Sequence, residues 1–333
     1  MATPLKAEEI FAHLAAPEWQ ITNDFRGKDI ISVEQLSREA IWKVLSTAND
    51  LETMPFEKRH RALESKAVAV LFYQPSTRTY TSFTRAAQAL GADVLGIHGM
   101  MQYSSAYKGE TLADTVRSMD ARGFDSFVLR HFDVDSALIA ARSIEIPIIN
   151  AGSGKLEHPT QALLDVRTII KETHNHNPQE LHIVFVGDLK YGRTVHSLSK
   201  LMAILGAPEM SFVSPDVLRM PRNLIAGLNE RGVETHETSS LNEVLEKADV
   251  LYITRVQREW FSTEEAYEEA RSGQQITPAV MERIKPEAVL MHPLPRVDEI
   301  TAEVDSDPRA AYFRQVGHGL WVRMALLKLV LGG

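Results

Sequence analysis

The chain has 333 residues and is 44% hydrophobic, enough for about two domains with full cores. It contains no cysteine, which excludes disulfides, thiolate metal sites and a cysteine nucleophile and fits a reducing compartment. Its net charge of −8 argues against a nucleic-acid partner. No apolar run approaches the ~20 residues that span a bilayer, so a soluble, cytoplasmic protein is expected.

Residues 1–28 read as a short amphipathic helix and a loop, acidic at the start and without a signal-peptide core. A helix rich in Leu, Ala and Ile is expected over 33–54. Residues 67–73, Ala-Val-Ala-Val-Leu-Phe-Tyr, are apolar without alternation, the mark of a strand buried on both faces. Phe83, Ala86, Ala87 and Leu90 then recur at helical spacing, and Gly91 stops that helix. A strand over 92–97 leads into an irregular loop over 98–109 and a helix over 110–122. A strand over 124–129 ends at Arg130-His131, and a helix covers 135–144. A short strand over 146–149 precedes His158-Pro159-Thr160-Gln161, which opens a helix to about 174.

Asn175-His176-Asn177-Pro178 is the clearest break in the chain. Beyond it strands are expected at 181–186, 210–213, 233–236, 250–254 and 289–291. Helices are expected at 194–205, 221–231, 241–248, 278–284 and 319–331. Two strand–helix alternations predict an α/β protein of two similar-sized open domains, each with a mostly parallel central sheet flanked by helices. The first takes 1–174 plus 312–333, with 1–28 as an N-terminal extension, and the second takes 175–311.

Open parallel sheets bind ligands at the carboxyl ends of their strands. In the first domain these ends carry Ser76–Thr79, Arg130-His131 and the His158–Gln161 turn. In the second they carry Gly187–Arg193, Arg255-Val256-Gln257 and His292–Arg296. Ser76-Thr77-Arg78-Thr79 sits where a strand hands over to a helix. Unpartnered N–H groups, two hydroxyls and a forked cation there suit a phosphate-like dianion, although Ser76 as a plain cap and Arg78 as a solvated side chain fit the tetrapeptide alone. Arginine recurs at Arg78, Arg130, Arg193 and Arg255. Four arginines sharing one cleft repel one another unless a polyanion belongs there. Gly-Asp-Leu-Lys-Tyr-Gly-Arg at 187–193 is not the Gly-x-Gly-x-x-Gly of dinucleotide sites, so no nicotinamide cofactor is expected.

Taken together and in order, these motifs are specific. Ser76–Thr79, residues 108–115 (Lys-Gly-Glu-Thr-Leu-Ala-Asp-Thr), Arg130-His131, His158–Gln161, residues 187–198, Thr254–Gln257 and residues 292–300 resemble the aspartate carbamoyltransferase catalytic-chain family over about residues 29–333. The resemblance implies carbamoyl phosphate and L-aspartate as substrates, N-carbamoyl-L-aspartate and phosphate as products, and a place in pyrimidine synthesis. It makes the first domain carbamoyl-phosphate-binding and the second aspartate-binding. It assigns Ser76, Thr77, Arg78 and Thr79 to the phosphate. Arg130, His158 and Thr79 go to the carbamoyl oxygen, and Gln161 with the carbonyls of Pro293, Leu294 and Pro295 to the carbamoyl amine. Arg193, Arg255 and Gln257 go to the aspartate carboxylates. The family builds its site between subunits of a homotrimer, with Ser104 and Lys108 matching residues lent by a neighbour. Lys108 thereby joins both substrate lists, and a separate regulatory chain is a possible further partner. Arg78, Thr79, Lys108, Arg130, His158 and Gln161 form the implied catalytic set. Neither a metal nor another cofactor is implied, because the cations supply the neutralisation and the departing phosphate serves as base.

Three positions depart from the family pattern. Gln74 stands for a usual Glu, Tyr80 for a frequent Arg, and Trp260 for a second Arg. In the family that acid bridges the two domains by pairing with arginines, so the resemblance implies joint loss of one ion pair and a raised aspartate requirement, with the chemistry intact. The ornithine-specific relatives carry His-Cys-Leu-Pro in place of His292-Pro293-Leu294-Pro295 and lack a match to Lys108. A cationic ornithine would also meet Arg193 and Arg255. A non-catalytic scaffold paralogue is the alternative of another class.

Overall fold

The computed structural model describes residues 5–173, 176–256, 258, 261–271 and 273–332. The chain divides into two compact units, residues 1–164 with 317–333, and residues 165–316. Both divisions fall inside helices, α8 (Pro159–Glu172) and α13 (Tyr312–Leu331). The Asn/Pro signal near 175 thus marks the end of a helix, whereas the packed unit changes earlier.

The remaining helices of the first unit are α1 (Ala7–Leu14), α2 (Arg38–Thr53), α3 (Phe56–His60), α4 (Thr77–Ala89), α5 (Met100–Tyr103), α6 (Leu112–Asp120) and α7 (Ser136–Ala141). Its sheet has the order β2 (Asp93–His98), β1 (Ala67–Phe72), β3 (Ser126–His131), β4 (Ile148–Ser153), with every pairing parallel. Val68 to Phe72 are fully buried, as a strand covered on both faces requires. Edge strand β2 is largely exposed. The first helix is no loose extension. Ile10 and Leu14 are buried with Val116, Met119, Leu138 and Phe127, and the Leu5 N–H donates to Asp135 Oδ2 at 2.8 Å. Gly91 is obligatory. Its φ is +85°, and a Cβ there would lie 1.8 Å from the His60 carbonyl oxygen.

The second unit holds a five-stranded, wholly parallel sheet in the order β7 (Glu234–Thr238), β6 (Glu209–Val213), β5 (His182–Val186), β8 (Val250–Ile253), β9 (Val289–Met291). Its helices include α9 (Arg193–Leu205), α10 (Arg222–Glu230), α11 (Glu264–Arg271) and α12 (Pro278–Met281). Val184, Val186, Leu251, Ile253 and Leu290 anchor one core face.

All nine expected strands are present, and "mostly parallel" sharpens to parallel throughout the two described sheets. Three expectations need correction. Residues 98–109 are not irregular, since α5 and a 3-10 turn Ser105–Lys108 occupy them. Residues 241–248 form two 3-10 turns, Leu241–Glu243 and Leu245–Lys247, in place of one α-helix. Leu241, Val244, Leu245 and Ala248 are buried, so the apolar spacing is met by a tighter winding. The final helix begins at Tyr312, ahead of the expected 319. Gly317 and Gly319 read as breakers, yet a Cβ at Gly319 would lie 3.0 Å from Leu164 Cδ2 and 2.6 Å from the Arg323 guanidinium. Close packing selects glycine inside that helix.

Candidate active site

Strand order picks out one place in each sheet. In the first, β1 lies between β2 and β3, so successive crossovers leave it in opposite directions. In the second, β5 lies between β6 and β8. Beyond the carboxyl ends at such a switch point a crevice opens, where ligands of open α/β sheets bind.

At the first switch point, β1 runs into Gln74–Thr79 and β3 ends on Arg130-His131. Phe72 pairs with Arg130 across the sheet, and the Tyr73 N–H continues the ladder to the Arg130 carbonyl at 2.8 Å. The strand register therefore brings Arg130 beside the start of α4. Ser76 is the N-cap of α4, but its hydroxyl makes no capping bond, so plain capping does not account for it. The helix begins at Thr77, which makes Thr77, Arg78 and Thr79 its first turn. Their N–H groups have no acceptor within the helix, and the positive end of the dipole lies there. Burial pulls the Arg78 guanidinium below the ordinary arginine range, though arginine remains charged at neutral pH. Thr79 is buried, and the 9% exposed Arg130 donates from Nη1 to the Ala151 carbonyl at 3.1 Å.

Strand β4 delivers His158 and Gln161 at the start of α8, 4% and 9% exposed. Asn150 fixes the preceding turn. Its side-chain oxygen accepts from the Gly152 N–H at 2.8 Å, and its amide donates to the Ile31 carbonyl at 2.7 Å. Ser104 and Lys108 lie on a separate segment between β2 and α6. Ser104 Oγ accepts from the Ala106 N–H at 3.2 Å, capping the turn that ends at Lys108. Lys108 is exposed, and no hydrogen bond or ion pair to its ammonium occurs among the described residues.

At the second switch point, Gly187 follows β5 with φ +111°. A Cβ there would lie 2.2 Å from the Thr254 carbonyl oxygen after β8, so glycine lets these two strand ends approach. Asp188 is buried and accepts from the Tyr191 N–H at 3.0 Å, which shapes the turn into α9. Arg193 is the first residue of that helix, and burial lowers its pKa to about 10, still charged at neutral pH. Arg255 lies two residues after β8. A cavity of about 220 Å3 opens here, lined among others by Gly187, Thr254, Val256, Gln274 and Glu299. Gln257 and Trp260 lie outside the described residues.

The segment 292–299 after β9 carries Leu294 and Pro295. Leu294 has φ +53°, alone in that region among the described non-glycine residues. Such backbone is retained where the surroundings hold it, often at functional sites. His292 Nδ1 accepts from the Leu294 N–H at 2.8 Å, and its Nε2–H donates to Glu299 at 2.7 Å. Burial drives the Glu299 carboxyl up, but His292 and the backbone N–H donors outweigh it and hold the group below the usual range.

Sequence reasoning missed two contributors. His98 ends β2 and accepts from the Ser76 N–H through Nε2 at 3.4 Å; the strand-end rule applied to β2 finds it. Glu299 was visible inside a motif, but its bond to His292 depends on a turn that spacing does not specify.

Two parallel-sheet α/β units with arginines at both switch points define the class: a tandem open α/β protein equipped for anionic ligands. The family model described as "Aspartate/ornithine carbamoyltransferase, carbamoyl-P binding domain" matches residues 28–171. The one described as "Aspartate/ornithine carbamoyltransferase, Asp/Orn binding domain" matches residues 179–330. The chain belongs to the aspartate/ornithine carbamoyltransferase family. It is 45% identical over 309 residues to the aspartate carbamoyltransferase catalytic subunit of Methanosarcina acetivorans, covering 92% of this chain and 98% of that protein. The Trypanosoma cruzi aspartate transcarbamoylase, solved with carbamoyl phosphate and aspartate, superposes with a TM-score of 0.84 at 40% identity, covering 92% of this chain and 98% of that one. The M. jannaschii catalytic subunit gives a TM-score of 0.85 at 41% identity, covering 91% and 98%.

Proposed function

We propose that this chain transfers the carbamoyl group of carbamoyl phosphate to the amine of L-aspartate, giving N-carbamoyl-L-aspartate and phosphate for pyrimidine synthesis. The observation that carries the reading is the content of the two switch points: Ser76–Thr79 with Arg130 in one sheet, Gly187–Arg193 with Arg255 in the other.

In this reading Ser76, Thr77, Arg78 and Thr79 hold the phosphate through first-turn N–H groups, hydroxyls and a guanidinium. Arg130, His158 and Thr79 donate to the carbamoyl oxygen, where negative charge develops as the amine attacks. Gln161 and the Leu294 and Pro295 carbonyls accept from the carbamoyl amine. Arg193, Arg255 and Gln257 bind the aspartate carboxylates. The aspartate nitrogen forms a bond to the carbonyl carbon, the bond from that carbon to the phosphate oxygen breaks, and the amine proton leaves with the phosphate. Holding both reactants in line supplies much of the acceleration. Ser104 and Lys108 complete the site of a neighbouring subunit in a homotrimer; the exposed, unengaged Lys108 supports this.

Phosphate release from carbamoyl phosphate on the purified protein tests the reading, with L-aspartate and separately with L-ornithine. Release with aspartate alone is expected. Release with ornithine alone, or with neither, overturns it.

A further inference from the structure

Buried side chains of the second unit form one hydrogen-bonded chain that ends on the Leu294–Pro295 loop. The Thr194 side chain bonds the Tyr252 hydroxyl. That hydroxyl donates to Asp165 Oδ2 at 2.8 Å. Gln315 Nε2 donates to Asp165 Oδ1 at 2.6 Å, and Gln315 Oε1 accepts the His292 backbone N–H at 3.0 Å. His292 then accepts the Leu294 N–H through Nδ1, so its proton sits on Nε2 and goes to Glu299. The other Glu299 oxygen accepts the Val297 and Asp298 N–H groups at 3.0 and 3.1 Å. Asp165 and Tyr252 are 0% exposed, and Gln315 and His292 are 1% exposed.

The polarity of this chain allows one arrangement. A reversed Gln315 amide would set its oxygen against the Asp165 carboxylate and its NH2 against the His292 N–H. Asp165 therefore fixes Gln315, Gln315 fixes the start of the loop, and His292 fixes its middle. Arg296 holds the far side by donating to the Tyr312 hydroxyl at 2.8 Å. The loop is tethered at both ends with its carbonyls set.

We propose that Asp165, Gln315 and His292 are positioning residues that aim the Leu294 and Pro295 carbonyls, and so set the preference for an amine-bearing acyl phosphate over one that lacks the amine. This rests on the carbamoyl-transfer reading. Acetyl phosphate is the matched probe, because a methyl replaces the NH2 that those carbonyls accept from. Gln315→Met removes both relay bonds at similar volume.

The first measurement is phosphate release by the unmodified protein with carbamoyl phosphate and aspartate; its absence overturns the transfer reading and the proposal with it. Given activity, Gln315→Met is expected to raise KM for carbamoyl phosphate about tenfold, while the inhibition constant of acetyl phosphate shifts less than about twofold. Should Gln315→Met not fold, Glu299→Ala at the other end of the relay, its side chain 12% exposed, reads the same ratio and is expected to move it the same way. An unchanged ratio between the two phosphates, or equal loss for both, overturns the positioning role.

Discussion

Gln74 and His158 each carry a test of the proposed reaction. Gln74 lies two residues after β1, where the family resemblance expects an acid, and its neutral amide oxygen can accept from arginine but lacks the ion-pair attraction of a carboxylate. Gln74→Glu is expected to lower the aspartate concentration for half-saturation by about fivefold, the worth of roughly 1 kcal/mol, with kcat little changed. A steady-state titration of aspartate at saturating carbamoyl phosphate checks this, and an unmoved half-saturation point sinks the reading. In the proposed reaction His158 serves through its ring as a hydrogen-bond donor to developing charge. His158→Asn shortens that reach, and kcat is expected to fall about 100-fold. A rate near wild type in stopped assays removes His158 from the mechanism.

Among the elements, α9 carries a titration with a clear sign. His196 is 8% exposed, donates to the Leu189 carbonyl at 2.8 Å, and burial pushes its pKa to about 4. In the unfolded chain the same ring titrates near ~6.5. The unfolded state therefore takes up a proton that the folded state refuses. The contribution of His196 to stability is fully present above about pH 6.5 and is lost as pH falls toward 4, amounting to ~2–3 kcal/mol by pH 4.5. His196→Gln keeps the donor without the titration, so its urea midpoint is expected to fall less than that of wild type between pH 7 and 4.5. Parallel shifts of the two midpoints refute the assignment. How legible each element was follows from what its residues pack against. Strand β1 was legible because a run buried on both faces has no other economical structure. The first turns of α13 were not, because Gly317 and Gly319 both lower helix propensity, and only at Gly319 does close packing against Leu164 call for glycine. The turns within 98–109 are short and one is capped by Ser104, so no helical repeat marks them in the sequence. The strand-end list contained most of the candidate site, and extending it to β2 adds His98, while the His292–Glu299 bond was invisible, since it depends on how a turn closes.

For the whole molecule, the proposed trimer makes an arithmetical prediction. Tyr103 and Tyr107 flank Ser104 on the segment that ends at Lys108, 82% and 75% exposed, with Met101 at 45%. Large apolar side chains grouped on one short segment fit a protein–protein contact. If each site takes Arg78 from one subunit and Lys108 from the next, Arg78→Ala and Lys108→Ala proteins are each nearly inactive. Dissociated, mixed equally and reassembled, they should recover about a quarter of wild-type activity, the share of sites with both residues intact. Failure of the mixture to exceed its components rules out shared sites.

The division of the chain also dictates an order of events on the ribosome. The first unit is discontinuous, and its core is completed by Val322, Met324, Leu326 and Leu327 of α13, all fully buried. Arg323 donates to Ser82 Oγ at 2.9 Å, and the Gly27 N–H reaches the Val330 carbonyl at 2.9 Å. A nascent chain therefore exposes an unfinished first half throughout synthesis of the second, whose residues 165–316 are contiguous and emerge complete. The later half can reach its native state first. The earlier half waits for the last helix, and this interval is when the newly made protein most needs protection from aggregation.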